Sequence, residues 1–367
     1  MSRIALVSPY ALSVFGGVQE QVLAMSRELA RRGDEVLVLA PDASDHTPYD
    51  TPARIERFGG LVSMPANGSR APLTLSPRAA RGARRALEAF APDVVHFHEP
   101  FAPLVGWSIL LAHEVPAVAT FHRSGDGPAL RLTRPLLGRL ARCLDGVVSV
   151  SDAAASTIAP VVTLEMRVLF NGFETERFVE HPRERSTTPV VLVLGRLEER
   201  KGVAYAIEAV RAHNARTEHP WRLVIVGDGP QRRSLEVLAG RDEMVLFTGA
   251  LSDDQKRMWL RHASVFVAPA LRGESFGLVL LEAMASEVAV VASDIVGYRD
   301  AAANLATLVA PGDPGALGRA IEASLAREEP ARIAAARAHA EHWSMASLVD
   351  AYELVYDSAR EHFARAR

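Results

Sequence analysis

The 367-residue sequence predicts an α/β protein built from two doubly wound, Rossmann-like domains in tandem, facing each other across a cleft. Short β-branched runs alternate with longer helical patterns along the whole chain. The runs are nearly all apolar, as strands covered by helices on both faces must be. The chain is also longer than one hydrophobic core usually organises.

The first strands are expected at Ile4–Val7, Val36–Leu39, Val94–Phe97, Val118–Phe121, Val147–Val150 and Arg167–Phe170. A second series is expected at Val190–Leu194, Leu223–Val226, Val245–Phe247, Val265–Ala268, Ala289–Val291 and Thr307–Val309. Between Asn171 and Pro189 the pattern lapses into a polar, proline-containing stretch. The seam therefore divides an N-terminal domain, residues 1–172, from a C-terminal domain, residues 173–344. Met345–Arg367 reads as one amphipathic helix with Leu348, Tyr352, Val355 and Tyr356 near one face. It is expected to pack back on the N-terminal domain. Two facing sheets of this kind would present the carboxyl ends of their strands, where open α/β sheets bind ligands, to one cleft.

Apolar residues make up 49% and charged residues 23%, an ordinary globular balance, and the formal net charge of −3 argues against a nucleic-acid binder. The single cysteine, Cys143, has no partner for an internal disulfide or a metal-ligand pair, which fits a reducing compartment. The start carries only Ile4-Ala5-Leu6-Val7 before Ser8-Pro9, too short for a signal-peptide core. No run approaches the roughly 18 apolar residues of a spanning helix. The chain is expected to be neither exported nor integral to a membrane.

Gly16-Gly17 closes the loop after the first strand and opens a helical pattern, where backbone can approach an anion closely. By itself the pair reads more readily as a tight turn. Gly227-Asp228-Gly229-Pro230-Gln231-Arg232 lacks the third glycine of a dinucleotide fingerprint and has proline where the helix should open, which disfavours a nicotinamide-dependent dehydrogenase. Gly195-Arg196-Leu197-Glu198-Glu199-Arg200-Lys201-Gly202 follows a strand, with Arg196 at the sheet mouth and Lys201 at the start of the next helix. Two cations there can hold a diphosphate and stabilise its charge as it leaves. A solvated basic loop paired with glutamates is an equal alternative for this stretch alone.

In Gly273-Glu274-Ser275-Phe276-Gly277, Ser275 is expected to cap a helix running through Ala285. Glu274 would then lie in the loop and Glu282 two turns inside, roughly 10 Å apart along the axis at ~1.5 Å per residue. That spacing lets one acid reach a sugar and the other a ribose. His122 follows a strand end, where it can hydrogen-bond sugar hydroxyls. His96 and His98 read as structural, and His98-Glu99-Pro100 as a loop-ordering element. Arg78, Arg81, Arg84 and Arg85 fall on one helical arc behind Pro77, opposite Ala80, Ala83, Leu87 and Phe90. In a chain of net negative charge this reads as a helix facing an anionic surface, against the alternative of a solvated face paired with carboxylates.

Together these residues resemble the family-4 glycosyltransferases, and most closely the actinobacterial phosphatidylinositol mannosyltransferases. The resemblance spans essentially the whole chain. It rests on Ser8-Pro9-Tyr10, Gly16-Gly17-Val18-Gln19, Asn67-Gly68-Ser69, His96-Phe97-His98-Glu99-Pro100 and Ala119-Thr120-Phe121-His122. It continues in Val150-Ser151-Asp152, Asn171-Gly172-Phe173, Gly195-Arg196 with Lys201-Gly202, and the seven-residue spacing between Glu274 and Glu282. The resemblance implies the GT-B fold and a retaining transfer of mannose from GDP-mannose to the inositol of phosphatidylinositol. It implies His122, Arg196, Lys201 and Glu274 as catalytic residues. It puts Arg196 and Lys201 on the diphosphate, Glu274 on the sugar, Glu282 on the ribose and His122 beside the mannose. Gly17, Ser275, Phe276 and Gly277 would complete the donor site, and Tyr10, Gln19, Asn67, Ser69 and Arg70 the acceptor site.

The arginine helix matches the family's membrane-association segment, which implies a cytoplasmic enzyme held peripherally on the inner face of the plasma membrane. No tightly bound cofactor is expected, and nothing in the sequence indicates a divalent cation such as Mg. Glu287 stands where the family has a glycine, a position whose left-handed backbone would strain it by ~1 kcal/mol. Arg123-Ser124 also departs from the family's small residue after the histidine. The alternatives are a family-4 enzyme using UDP-glucose or UDP-N-acetylglucosamine with a diacylglycerol or soluble inositol phosphate, and a non-catalytic nucleotide-sugar-binding protein.

Overall fold

The computed structural model describes residues 1–14, 16–42, 49–66, 69–123, 128–178, 186–274, 276–327 and 329–366. The chain divides into two compact units, Met1–Gly172 with Met345–Arg367, and Phe173–Ser344.

The first unit runs β1 (Arg3–Val7), α1 (Gly17–Arg31), β2 (Glu35–Pro41), β3 (Arg54–Phe58), β4 (Leu61–Ala66), β5 (Ser69–Thr74) and α2 (Pro77–Phe90). It continues through β6 (Val94–His98), α3 (Val105–Leu110), β7 (Ala117–Phe121), α4 (Pro128–Ala141), β8 (Gly146–Ser149), α5 (Asp152–Ile158) and β9 (Met166–Val168). Seven of these strands form a parallel sheet in the order β3-β2-β1-β6-β7-β8-β9. Alternation along each strand divides the core in two. Ala5 and Val7 pack under α2, α3 and α4. Ile4 and Leu6 pack under α1 and the last helix of the chain.

The second unit runs β10 (Val190–Leu194), α6 (Val203–Asn214), β11 (Arg222–Val226), α7 (Arg232–Ala239), β12 (Val245–Gly249) and α8 (Asp253–His262). It continues through β13 (Val265–Ala268), α9 (Leu278–Ala285), β14 (Ala289–Ser293), α10 (Val296–Ala302), β15 (Thr307–Val309), α11 (Pro314–Ala326) and α12 (Pro330–Glu341). Its parallel sheet has the order β12-β11-β10-β13-β14-β15. In each unit the chain order reverses beside the first strand, between β1 and β6 and between β10 and β13. Open α/β sheets bind ligands at such switch points, outside the carboxyl strand ends.

The last helix, α13 (Met345–Ala366), packs on the first unit's sheet. Leu348, Tyr352, Val355 and Tyr356 are buried along one face. Arg32, at the end of α1, donates to Asp350 at 2.6 Å and to Glu353 at 3.0 Å, and to buried Glu28 at 2.7 Å. Burial works against the Glu28 carboxylate, but its bonds from Arg31 and Arg32 outweigh that and lower its pKa.

Three expectations need correction. The strand predicted at Arg167–Phe170 is Met166–Val168, half-exposed at the sheet edge, where the apolar signal is weak. Strand β3 and the antiparallel pair β4–β5 have no counterpart in the sequence reading. Strand β3 is an edge strand with two arginines and a glutamate in five residues, so no continuous apolar run marks it. Helix α9 begins at Leu278 and not behind Ser275, with Gly277 as its cap at φ +87°. Glu282 is thus the fifth helical residue, one turn in rather than two.

Glu287 does take the left-handed conformation, at φ +58°. The Glu287 N–H donates to the Met284 carbonyl and the Val288 N–H to the Ala283 carbonyl, both at 3.0 Å. This pair of bonds closes α9 in the way that normally selects glycine. Arg337 of α12 donates to the Glu287 carboxylate at 2.6 Å, an exposed pair that offsets little of the strain.

Candidate active site

In the second unit the loops after β10 and β13 meet at the switch point. The β10 loop turns through a 3-10 segment, Glu199–Lys201, and ends at Gly202 with φ +64°. Lys201 therefore closes that turn, and α6 begins only at Val203, a correction to its expected place at the helix start. Lys201 Nζ lies 2.7 Å from Glu274 Oε1, and Arg200 donates to the same oxygen at 2.7 Å and to the Gly273 carbonyl at 2.9 Å. Glu198 joins the network, accepting from Arg200 at 2.8 Å and lying 3.0 Å from Arg196.

Arg196, Glu198, Arg200, Glu274 and Lys201 thus form one ionic chain of net charge +1. Its ends differ. Glu274 and Lys201 have side-chain exposures of 11% and 17%, whereas Arg196 is 59% exposed. Burial disfavours the charge on Arg200, but Glu274 and Glu198 outweigh it and raise its pKa.

The Glu274 backbone is held by close packing. A Cβ on Gly297, in the first turn of α10, would lie 1.8 Å from the Glu274 carbonyl oxygen. A Cβ on Gly277 would lie 2.7 Å from the ring of Tyr298, which is buried. Burial raises the Tyr298 phenol, and the Glu274 charge adds to the shift. Phe276 packs on Trp343, with centroids 4.5 Å apart, so its ring belongs to the domain core. On α9, Glu282 accepts from Lys256 of α8 at 3.0 Å, and its second oxygen is buried with no partner among the described residues. A buried acceptor of this kind is suited to a ligand hydroxyl. Ser275 lies outside the described residues.

In the first unit histidines stand beside the switch point, on β6 and just past β7. His122, just past β7, bonds His98 at the end of β6, Nε2 to Nδ1, at 3.0 Å. The rings of His96 and His98 stack with centroids 4.6 Å apart, and His122 extends the column edge to edge through its hydrogen bond, near-parallel to His98 with centroids 5.2 Å apart. Below it, His96 bonds the Tyr356 hydroxyl at 2.9 Å and Thr120 at 2.7 Å, and Thr120 bonds the Tyr352 hydroxyl at 2.7 Å. Glu99 orders the loop above, accepting from the backbone N–H groups of His122 and Arg123 at 2.6 Å each.

Burial holds these histidines neutral. His122 is pushed down to about 4, with the neighbouring Asn171 amide opposing, and His96 to about 3. His98 falls well below the ordinary value. Burial likewise raises Glu99 and pushes the Tyr10 phenol up to about 12, with the Glu99 charge adding.

The remaining expected residues are more scattered. Gly17 opens α1, and a Cβ there would meet nothing within 4 Å. Gln19 is buried and donates to the Ala11 and Val14 carbonyls, at 3.3 and 3.0 Å, so its amide nitrogen braces the loop after β1. Ser69 and Arg70 lie on β5, their side chains outside the described set, and Asn67 falls outside the described residues. Arg78, Arg81, Arg84 and Arg85 line the exposed face of α2, while Ala79, Ala80, Ala83, Leu87 and Phe90 are buried. Arg84 lies 3.6 Å from Glu88. No described helix is long and apolar enough to cross a membrane.

Sequence reasoning missed Arg200, Glu198, Lys256, Gly297 and Tyr298, whereas Glu99 orders its loop as expected. The first two stood in the quoted loop, where alternating charges do not reveal which cation turns inward.

The chain matches two families of known proteins. The one described as Glycosyltransferase Family 4 matches residues 15–177, and Glycosyl transferases group 1 matches residues 174–340. The phosphatidyl-myo-inositol mannosyltransferase of Mycolicibacterium smegmatis is 36% identical over 323 residues, covering 86% of this chain and 80% of that protein. The enzyme of the same name from Propionibacterium freudenreichii is 30% identical over 385 residues, covering 100% and 97%. A solved glycosyltransferase from Rickettsia africae has a similar fold, with a TM-score of 0.75 at 17% identity over 98% of each chain. The chain belongs to the family-4 glycosyltransferases and has their GT-B fold.

Proposed function

We propose that this glycosyltransferase moves mannose from GDP-mannose to the inositol ring of a phosphatidylinositol-like lipid, with retention at the anomeric carbon. The observation that carries the reading is the Glu274 carboxylate, gripped by Lys201 and Arg200 at a switch point. The donor and acceptor follow from the relatives, which bear the name phosphatidyl-myo-inositol mannosyltransferase.

In the reaction the bond between the anomeric carbon and the diphosphate oxygen breaks, and its electron pair leaves with GDP. The acceptor hydroxyl oxygen bonds to the same face, and its proton passes to the departing phosphate. Lys201 and Arg196 face the diphosphate and stabilise the charge that builds there. Arg200 orients Glu274. Glu274 bonds sugar hydroxyls, Glu282 the ribose with its free oxygen, and His122 the mannose.

Gly17 lets backbone approach the phosphate, and the Ser275-Phe276-Gly277 segment supplies backbone at the donor. The acceptor head group meets Tyr10, Gln19, Asn67, Ser69 and Arg70. We propose no covalent intermediate and no tightly bound cofactor, the diphosphate being countered by the protein's own cations. The exposed arginines of α2 would hold the enzyme peripherally on anionic lipid at the inner face of the plasma membrane.

The test is product analysis by mass spectrometry after incubation with GDP-mannose, UDP-glucose or UDP-N-acetylglucosamine. Each donor is offered with phosphatidylinositol vesicles, diacylglycerol or soluble inositol phosphate, with and without Mg and EDTA. A mannosylated phosphatidylinositol is expected. A glucosyl product from UDP-glucose would replace the donor assignment, and donor binding without any product would leave a binding protein. The triple change Arg81/Arg84/Arg85→Ser should release the protein from anionic vesicles, and unchanged vesicle binding would count against the membrane role of α2.

A further inference from the structure

The contact between His98 and His122 joins two imidazoles that burial keeps neutral, so each carries one N–H. A 3.0 Å contact between His98 Nδ1 and His122 Nε2 needs one proton between the nitrogens. Two arrangements satisfy this. If His122 Nε2 donates, His98 must carry its own proton on Nε2. That atom is buried and has no partner among the described residues. A buried N–H without an acceptor is rarer than a buried lone pair without a donor. If instead His98 Nδ1 donates, the orphaned Nε2 is only a bare lone pair, and His122 accepts at Nε2. The second arrangement leaves the proton of His122 on Nδ1, the nitrogen not engaged by His98.

His98 itself cannot turn to escape this choice. It is 2% exposed, stacked on His96 and hydrogen-bonded edge to edge to His122. His96 is fixed in turn by Tyr356 and Thr120, and Thr120 by Tyr352. Tyr352 and Tyr356 belong to α13, so the last helix of the chain anchors the base of the column. Glu99 fixes the His122 backbone by accepting its N–H.

We propose that His98 is a positioning residue that selects the Nδ1–H tautomer of His122, so that His122 meets its ligand as a hydrogen-bond donor from Nδ1. An unconstrained histidine favours the opposite tautomer in water, so removing the His98 donor shifts His122 toward Nε2–H, with the Asn171 amide as its remaining side-chain partner. A donor at that point recognises an oxygen acceptor, such as a sugar hydroxyl. The inference rests on the reading of His122 as a sugar contact, but the tautomer can be measured with no substrate present.

The test is two-bond 1H–15N correlation spectroscopy of the full chain, selectively labelled with 15N-histidine, near neutral pH. The wild type should show His122 protonated on Nδ1 with a bare Nε2. His98→Asn keeps a donor near the position of Nδ1 and should preserve that pattern. His98→Leu removes the donor and should move His122 toward Nε2–H. In turnover with GDP-mannose, His98→Leu should lower kcat about 10-fold, the worth of one misplaced hydrogen bond, with donor KM within about twofold. His98→Asn should recover most of that loss. A wild-type His122 carrying its proton on Nε2 would overturn the proposal, and so would a His98→Leu variant with unchanged tautomer. Should His98→Leu fail to fold, the wild-type spectrum alone decides. Failure to transfer mannose would sink the donor reading and leave the tautomer result standing.

Discussion

The two units gather polar groups at the carboxyl ends of their sheets but build them from opposite materials. Beside the switch point of the first unit, His96 and His98 are buried and His122 is half-buried, and all three are uncharged and ordered by hydrogen bonds. At that of the second unit, a partly exposed chain of five charges joins Arg196, Glu198, Arg200, Glu274 and Lys201. Uncharged groups can select the orientation of a hydroxyl without attracting ions. A cluster with a surplus cation can meet a diphosphate and steady its growing charge.

The largest effect should come from the charged side. Lys201→Ala removes a cation of 17% exposure bonded to Glu274, and should lower kcat by about 10²–10³-fold, as loss of a preorganised charge-stabilising donor does. Arg196→Ala removes one of 59% exposure, and steady-state rates should fall by about tenfold only, solvent having already screened that charge. Equal losses for the two would erase the distinction between the inner and outer ends of the chain. Next in size, Lys256→Ala should raise donor KM about tenfold by releasing Glu282, with kcat nearly unchanged, in line with loss of a charge-assisted hydrogen bond. A kcat effect without a KM effect would move Glu282 away from binding.

The uncharged side should declare itself through pH. His122 at about 4, His96 at about 3 and His98 are all held below the ordinary 6.5. Below that value the unfolded chain binds more protons than the folded one, so stability rises with pH in this range. The stabilisation is fully present above about pH 6.5 and is lost as pH falls toward 4. Glu99 and Arg123 are the charged groups beside the column, and burial keeps the Tyr352 and Tyr356 phenols protonated throughout. Urea midpoints measured between pH 7 and 5 should fall steadily, and His96→Gln should flatten the slope. A slope equal in wild type and variant would mean that the column titrates freely. His339 of the second unit is lowered in the same sense by partial burial, so the variant comparison carries the test.

The smallest effect concerns α9. Glu287→Gly should raise stability by about 1 kcal/mol, since glycine relieves the left-handed strain and the exposed Arg337 pair is worth little. Thermal melting reads this directly, and a lower midpoint would show the ion pair outweighing the strain.

Much of this was legible in the sequence, for reasons that also explain the gaps. Central parallel strands such as Val190–Leu194 are buried on both faces and leave unbroken apolar runs. Edge strand Arg54–Phe58 is half solvated and carries charge, so it left none. The loops holding Glu274 and Lys201 stood out because glycines and charges follow apolar strands. Which cation turns inward was not legible, because the 3-10 turn Glu199–Lys201 decides it and Arg196, Arg200 and Lys201 share one short loop. Lys256 lies 26 residues from Glu282 on another helix, and only the packing of α8 against the domain brings them together. The histidine column was read as separate residues, since its stacking depends on β6 and β7 being neighbours in register, with His98 opposite Thr120.

The most direct test compares wild type with Glu274→Gln at saturating GDP-mannose on phosphatidylinositol vesicles, with GDP affinity measured alongside by calorimetry. On the proposed reading, in which the carboxylate meets the sugar and the cations meet the diphosphate, mannosyl transfer should fall at least about 100-fold while GDP binds within a few-fold of wild type. Transfer at an undiminished rate by the variant would contradict the account.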